Sequence, residues 1–125
     1  MYHVELELDS FFQQAYERGA SDMHFDTVEE GVLVRFRLDG RLQTMTTIPK
    51  TDGELVMNRL KVLGSMDISE KRLPQDGRYV WTQGNHSGTI RMSPLPSVYG
   101  ESLVCRLFWH DARILSLEEL GMPVD

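Results

Sequence analysis

The sequence predicts one α+β domain, with an antiparallel sheet flanked by at least two helices. Two observations lead to this class: apolar residues recur at helical spacing in two segments, and they alternate with polar residues in segments bounded by turn signals. The chain has 125 residues, of which 41% are hydrophobic, which suits one domain with a single core. We therefore treat residues 1–125 as one domain.

An opening helix is predicted to begin at Ser10. Ser10 and Gln13 have the spacing of a capping box, in which each side chain bonds a backbone N–H at the helix start. An apolar face follows, formed by Phe11, Phe12, Ala15 and Tyr16. Gly19 is the residue type at which helices commonly end.

A β-hairpin is predicted next. Val32, Val34, Phe36 and Leu38 alternate with more polar or outward-facing positions, as in a strand with one buried face. The dipeptide Asp39-Gly40 then gives a strong signal for a tight turn into a second strand.

A second helix is predicted from the capping-box spacing of Thr51 and Glu54. Its apolar face consists of Val56, Leu60 and Leu63. Gly64 stands where the helix is expected to stop.

The rest of the chain predicts further strands. A loop at 71–77 leads into a strand at 78–82, and a turn is placed at 85–88. Two more strands are centred on Ile90 and Met92 and on Leu103, Cys105 and Leu107, joined by a connection that carries Pro94, Pro96 and Gly100. In these two strands Arg91 and Arg106 point away from the apolar row.

Composition excludes several classes of protein. A net charge of −6 and a pI near 5.1 argue against a general nucleic-acid or anionic-lipid surface. Cys105 is the single cysteine, so the chain can form neither an internal disulfide nor a multi-cysteine zinc site. No apolar run approaches the roughly 20 residues that span a bilayer. We expect a cytoplasmic domain.

Recognisable catalytic motifs are absent from the sequence. Neither GxxxxGK[ST] nor GxGxxG occurs, so we expect no ATP hydrolysis by this chain and ATP binding no tighter than about millimolar. His3, His24, His86 and His110 are too scattered to propose a metal site. Ser21, Asp22 and His24 are the residue types of a hydrolase triad, but no nucleophile elbow surrounds the serine. We assign no catalytic residue and no cofactor to the chain itself.

Four segments carry a family resemblance: ASDMHF at 20–25, VRFRLDG at 34–40, EKRLPQDGR at 70–78 and RMSPLPSVYGESLVCR at 91–106. In order and spacing they resemble the N-terminal domain of the ATPases of type II secretion, type IV pilus assembly and competence. A further segment, LSLEELGMP at 115–123, resembles the stretch that leads into the linker before the ATPase half.

The resemblance implies a PAS-like sheet that packs over ATP and Mg²⁺ held by a C-terminal ATPase domain, in the same or a neighbouring subunit of a homo-hexamer. It also implies a location at the inner face of the cell membrane, through an inner-membrane platform protein. The family match begins almost at Met1, which favours a short competence-type ATPase active in DNA uptake.

Arg91 and Arg106 match two family arginines that reach toward the nucleotide phosphates. Guanidinium groups suit this task because they stay charged and bond phosphate oxygens in pairs. Without the resemblance, both arginines would be assigned to a solvated sheet face. Two departures from the family pattern lie nearby: Pro94 replaces a usual threonine or serine, and Thr89 a common acidic residue.

Other matching positions are expected to support the domain or its interfaces. Arg35, Arg37 and Asp39 match the family's strand and hairpin, and an exposed sheet face is the simpler alternative for them. Glu101 is expected at a strand start or an interface, without a catalytic role. The competing function is a free-standing PAS-like sensor or adaptor that binds a small ligand or a partner protein.

Overall fold

The computed structural model describes residues 2–70 and 75–110. Within them the elements are α1 (Val4–Arg18), β1 (Asp22–Val28), β2 (Gly31–Leu38), β3 (Arg41–Pro49), α2 (Lys50–Leu63), β4 (Gly77–Gln83), β5 (His86–Ser97) and β6 (Gly100–Trp109). Part of the loop predicted at 71–77, and the whole segment 115–123, lie outside the described residues. No helix in the described part of the chain is long and apolar enough to cross a bilayer.

The six strands form one antiparallel sheet in the order β3-β2-β1-β6-β5-β4. β1 and β6 therefore lie at the centre, although they are far apart in the sequence. Both helices pack on one face of the sheet, where the core lies. The predicted α+β class is confirmed.

The core is formed by side chains that alternate along the strands and by one stripe of each helix. Phe11 and Phe12 of α1 meet Phe25 and Trp81 of the sheet, with ring centroids 6.1 and 6.3 Å apart. The predicted inward positions of β2, Val32, Val34 and Phe36, are all buried. α2 contributes the fully buried Val56 and Leu60. This apolar layer fixes which side of each strand faces solvent.

The predicted hairpin is present, with β2 and β3 joined by a two-residue turn. Asp39 and Gly40 both have positive φ angles, of 53° and 79°. This is the conformation of a type I′ turn, whose twist matches that of the flanking strands.

The predicted helix starts are wrong, whereas the predicted ends are confirmed. α1 begins at Val4, because Leu8 extends the buried face toward the N-terminus and Glu5 and Glu7 complement the helix dipole. Ser10 lies inside the helix, where its Oγ accepts a hydrogen bond from Gln14. α2 begins one residue before Thr51, after Pro49 and without a side-chain cap. The helices end at Gly19 and Gly64, as predicted.

Two strand assignments also need correction. The predicted turn at 85–88 is a two-residue turn at 84–85, since Gly84 takes the positive φ that starts it. The connection that carries Pro94 and Pro96 belongs to β5 itself. Beyond Met92 the described residues pair β5 with β6 alone, so a proline without an N–H can occupy its free edge. The central strand β1 was not assigned from the sequence.

A buried ion pair ties α2 to the start of β6. The Lys61 side chain is 2% exposed and its ammonium group pairs with the Glu101 carboxylate, which is 16% exposed. Glu101 thus lies at a strand start, as predicted, and points toward the helix layer. The Lys61 ammonium is stable in this buried position only with its partner, because an unpaired buried charge loses its hydration without compensation.

We predict that Glu101→Gln lowers the free energy of unfolding by about 3–5 kcal/mol, because it leaves the Lys61 ammonium buried without its ion pair. Urea denaturation of the 125-residue chain measures the loss. The double variant Lys61→Met/Glu101→Gln buries no charge at this position and should recover most of the stability. A double variant no more stable than Glu101→Gln would contradict this explanation.

Candidate functional site

A line of charged residues crosses the face of the sheet opposite the helices. The strand register aligns Arg37 of β2, Asp22 of β1, Arg106 of β6, Arg91 of β5 and Arg78 of β4 as successive cross-strand partners. We call these five residues the arginine row. Directly opposed side chains have Cβ atoms about 4.5–5.5 Å apart, so each member senses the charge of its neighbours.

Asp22 is the single carboxylate of the row and the most enclosed of its members, with a side chain only 7% exposed. Its Oδ1 accepts a hydrogen bond from Arg106 Nε at 3.2 Å, and its Oδ2 lies 3.4 Å from Arg37 Nε. The Ser21 hydroxyl also donates to Oδ2, at 2.9 Å. Arg37 donates a further hydrogen bond to the carbonyl oxygen of Gly40, which connects Asp22 to the hairpin turn. One carboxylate therefore orients two guanidinium groups on opposite sides of β1.

The remaining two arginines are not neutralised in this way. Arg78 and Arg91 are exposed, and neither forms an ion pair with any described residue. Arg91 places its Cζ 5.7 Å from the centroid of the Phe108 ring, a cation–π contact that orients the side chain without cancelling its charge. Arg106 is paired, yet 67% of its side chain remains exposed. The β4–β5–β6 part of the row thus presents positive charge to solvent.

A second ion pair lies beside the row. Arg35 Nη2 contacts Asp26 Oδ2 at 2.6 Å, and both are half-buried. His24 lies on β1 between Asp22 and Asp26, directly opposite Arg35. Burial lowers the pKa of His24, so its imidazole is neutral at pH 7 and adds no charge.

Hydrolase and thiol chemistry find no support in the geometry. The Ser21 hydroxyl donates to Asp22 rather than to His24, so no base is positioned to activate it. Burial raises the pKa of Cys105 to about 12, which keeps the thiol protonated. Among the described residues, no group of three or more potential ligands is arranged to hold a metal ion.

The fold brings Arg91 and Arg106 together on neighbouring strands, directly opposite each other. Arg35 and Arg37 lie on β2 and pair with β1 carboxylates, and Asp39 lies exposed in the hairpin turn. Sequence reasoning missed Asp22 as the shared partner. It also missed Arg78 as a member of the row.

We predict that Asp22→Asn lowers the free energy of unfolding by about 1.5–3 kcal/mol, because it removes the charge that holds two arginines. Chemical denaturation of the purified chain gives the value. Asp26→Asn is the matched control, with the same chemical change on the same strand but a single, more exposed ion pair, and should cost about 0.5–1 kcal/mol. An equal or smaller loss for Asp22→Asn would show that it does not organise the row.

Comparison with known proteins identifies the family. The profile of the family described as "Type II/IV secretion system protein" matches residues 2–125. A putative type II secretion system protein E of Escherichia coli K12 is 41% identical over 115 residues, which cover 92% of this chain and 23% of that protein. The type IV pilus assembly ATPase TfpB of Acinetobacter baylyi is 41% identical over 120 residues, covering 95% and 20%. The chain thus spans about a fifth of the length of these relatives.

A solved structure has the same fold. The ATPase DotB of Yersinia pseudotuberculosis superposes with a TM-score of 0.54 over 86% of this chain and 30% of that one. At 17% identity this likeness concerns the fold alone. The profile match and the relatives at about 40% identity establish the family directly. The chain belongs to the family of type II/IV secretion system proteins, and it corresponds to the N-terminal domain of the secretion ATPases.

Proposed function

We propose that this chain is the regulatory, nucleotide-sensing N-terminal domain of a hexameric ATPase that assembles pilus or pseudopilus subunits. The observation that carries the proposal is the direct cross-strand pairing of Arg91 and Arg106 on the exposed sheet face. Two guanidinium groups held side by side on rigid strands suit an anion with several oxygens, because each can bond two of them.

The sheet would act by placing these charges over phosphates that the ATPase domain holds. Strands hold their side chains in place more precisely than loops, so the positive face is available before the nucleotide arrives. Preorganised positive charge stabilises the negative charge of a phosphoryl group during transfer, and this is a large catalytic effect when water is excluded. In this proposal the domain supplies charge and senses the nucleotide, while ATP and Mg²⁺ are held by the ATPase half.

The relatives support the proposal that the domain belongs to a secretion or pilus-assembly system. The names of the relatives compared above refer to type II secretion and type IV pilus assembly. We propose that the domain works in such a system, against the ATPase domain of its own or a neighbouring subunit and near an inner-membrane platform protein. The assignment to competence and DNA uptake remains a prediction from the sequence.

A free-standing sensor is the second candidate, and one cavity favours it. A space of about 350 Å³ lies between α2, the β1–β2 turn and the β5–β6 turn. Lys61 and Glu101 line this cavity, but they already neutralise each other. Reading the gene beyond codon 125 separates the two candidates, since a GxxxxGK[ST] motif is expected downstream only for the ATPase.

We predict that Arg91→Ala in the full-length ATPase lowers steady-state turnover by up to about 10³-fold, because it removes charge stabilisation at the phosphates. Its stability should change by no more than about 0.5 kcal/mol, since the side chain is exposed and makes no ion pair with a described residue. Arg91→Lys should restore little activity, because lysine keeps the charge and loses the planar fork.

Arg41→Ala is the matched control for this experiment, since Arg41 is an exposed arginine at the start of β3, four strands away from β5 in the sheet. It should leave turnover unchanged. Arg106→Ala should lower turnover as well, but with some loss of stability, because Asp22 loses one of its partners. Near-normal ATPase rates for both row variants would contradict the proposal and assign these arginines to a solvated face.

A further inference from the structure

The charge of the arginine row is unevenly distributed along its length. Asp22 lies between Arg37 and Arg106 and pairs with both, so its carboxylate offsets one of the two positive charges in the β2–β1–β6 part. Beyond Arg106 the row continues through Arg91 to Arg78 with no further carboxylate in register. Like charges placed directly opposite each other destabilise a sheet, and here two arginines occupy opposed positions with no ion pair among the described residues. Such an arrangement is costly in the free domain and becomes favourable when an anion binds.

The position of Arg78 is fixed by the residue before it. A Cβ atom on Gly77 would lie 2.8 Å from Met66 Cε and 3.1 Å from the carbonyl oxygen of Gly64, so only glycine fits without displacement. The Arg78 backbone N–H also donates to that carbonyl oxygen, at 3.3 Å. The start of β4 is therefore packed tightly against the end of α2, which holds Arg78 in register with Arg91.

Arg78 and Arg91 also line one cavity. Its volume is about 360 Å³, and the other described residues that line it are Asp76, Gly77, Met92 and Ser93. This volume lies within the range of small-ligand sites, roughly 300–1,000 Å³. Asp76 forms no ion pair with either arginine. The end of the row formed by Arg78 and Arg91 thus borders a shallow, open depression.

We infer that Arg78 and Arg91 form the principal anion site of this face, for the polyphosphate chain of a nucleotide, with Arg106 at its margin. The inference rests on the proposed function and adds Arg78 to its phosphate-facing residues. Two strand spacings separate β4 from β6, about 10 Å, so the three guanidinium groups form a line. A linear anion with several charges can neutralise such a line, whereas a single carboxylate cannot.

Titration of the 125-residue chain with inorganic tripolyphosphate, followed by backbone amide NMR at low ionic strength, tests the inference. We expect Arg78→Gln and Arg91→Gln each to raise the Kd about fivefold or more, since each removes a charge-assisted bond to the anion. Arg106→Gln should have a smaller effect, because Asp22 already engages that side chain. Arg41→Gln, which changes the net charge equally, should behave like the unmodified chain. The amide spectrum of each variant also verifies that it is folded.

Each outcome bears on a distinct claim. If Arg78→Gln binds tripolyphosphate like Arg41→Gln while Arg91→Gln and Arg106→Gln bind it more weakly, the inference about Arg78 is overturned and the proposed function stands. If no row variant differs from Arg41→Gln, the inference and the proposed phosphate role of the row both fail. A tri-aspartate peptide should bind more weakly than tripolyphosphate, and equal affinity would assign the site to carboxylates of a protein partner instead.

Discussion

The arrangement of charged side chains on the sheet face opposite the helices depends on one buried carboxylate, that of Asp22. Asp22 stands on a central strand and accepts hydrogen bonds from Ser21 and from Arg106, while Arg37 approaches from the other side. A carboxylate this enclosed requires cationic partners, because its lost hydration must be compensated. This need for cationic partners orients the side chains of Arg37 on β2 and Arg106 on β6, the two strands that flank β1. It also connects the hairpin turn, through Arg37, to the centre of the sheet.

Asp22 offsets only one of the four positive charges in the row, and the two arginines without an ion pair to a described residue, Arg78 and Arg91, lie at its β4–β5 end. The helices and the aromatic core pack on the other face, where the burial of alternate strand residues fixes the register of the sheet. The domain therefore offers a preorganised line of guanidinium groups on the face away from the helices. This division suits a domain that closes over a nucleotide held elsewhere, which is the role we propose within the secretion ATPase family.

Local patterns predicted several of the local elements correctly. The alternation in β2, the Asp39-Gly40 turn and the glycines that end both helices depend on neighbouring residues, and all were confirmed. The start of α1 was missed because buried Leu8 outweighs the capping signal at Ser10. The arginine row could not be predicted, since β1 pairs with β6 across most of the chain and a shift of one residue would send Asp22 to the core. Arg91 and Arg106 were singled out only through the family resemblance.

The claim that Asp22 limits the positive charge of the arginine row is tested most directly by the tripolyphosphate affinity of Asp22→Asn. The affinity is measured at a temperature where the denaturation curve of this variant shows a folded chain. In Asp22→Asn the side chain at position 22 carries no charge. Arg106 therefore loses its ion-pair partner, and the arginine row loses its single negative charge. We predict that Asp22→Asn binds tripolyphosphate more tightly than the unmodified chain, and more tightly than Asp26→Asn, which makes the same change in net charge. Unchanged or weaker binding by a folded Asp22→Asn chain would contradict it.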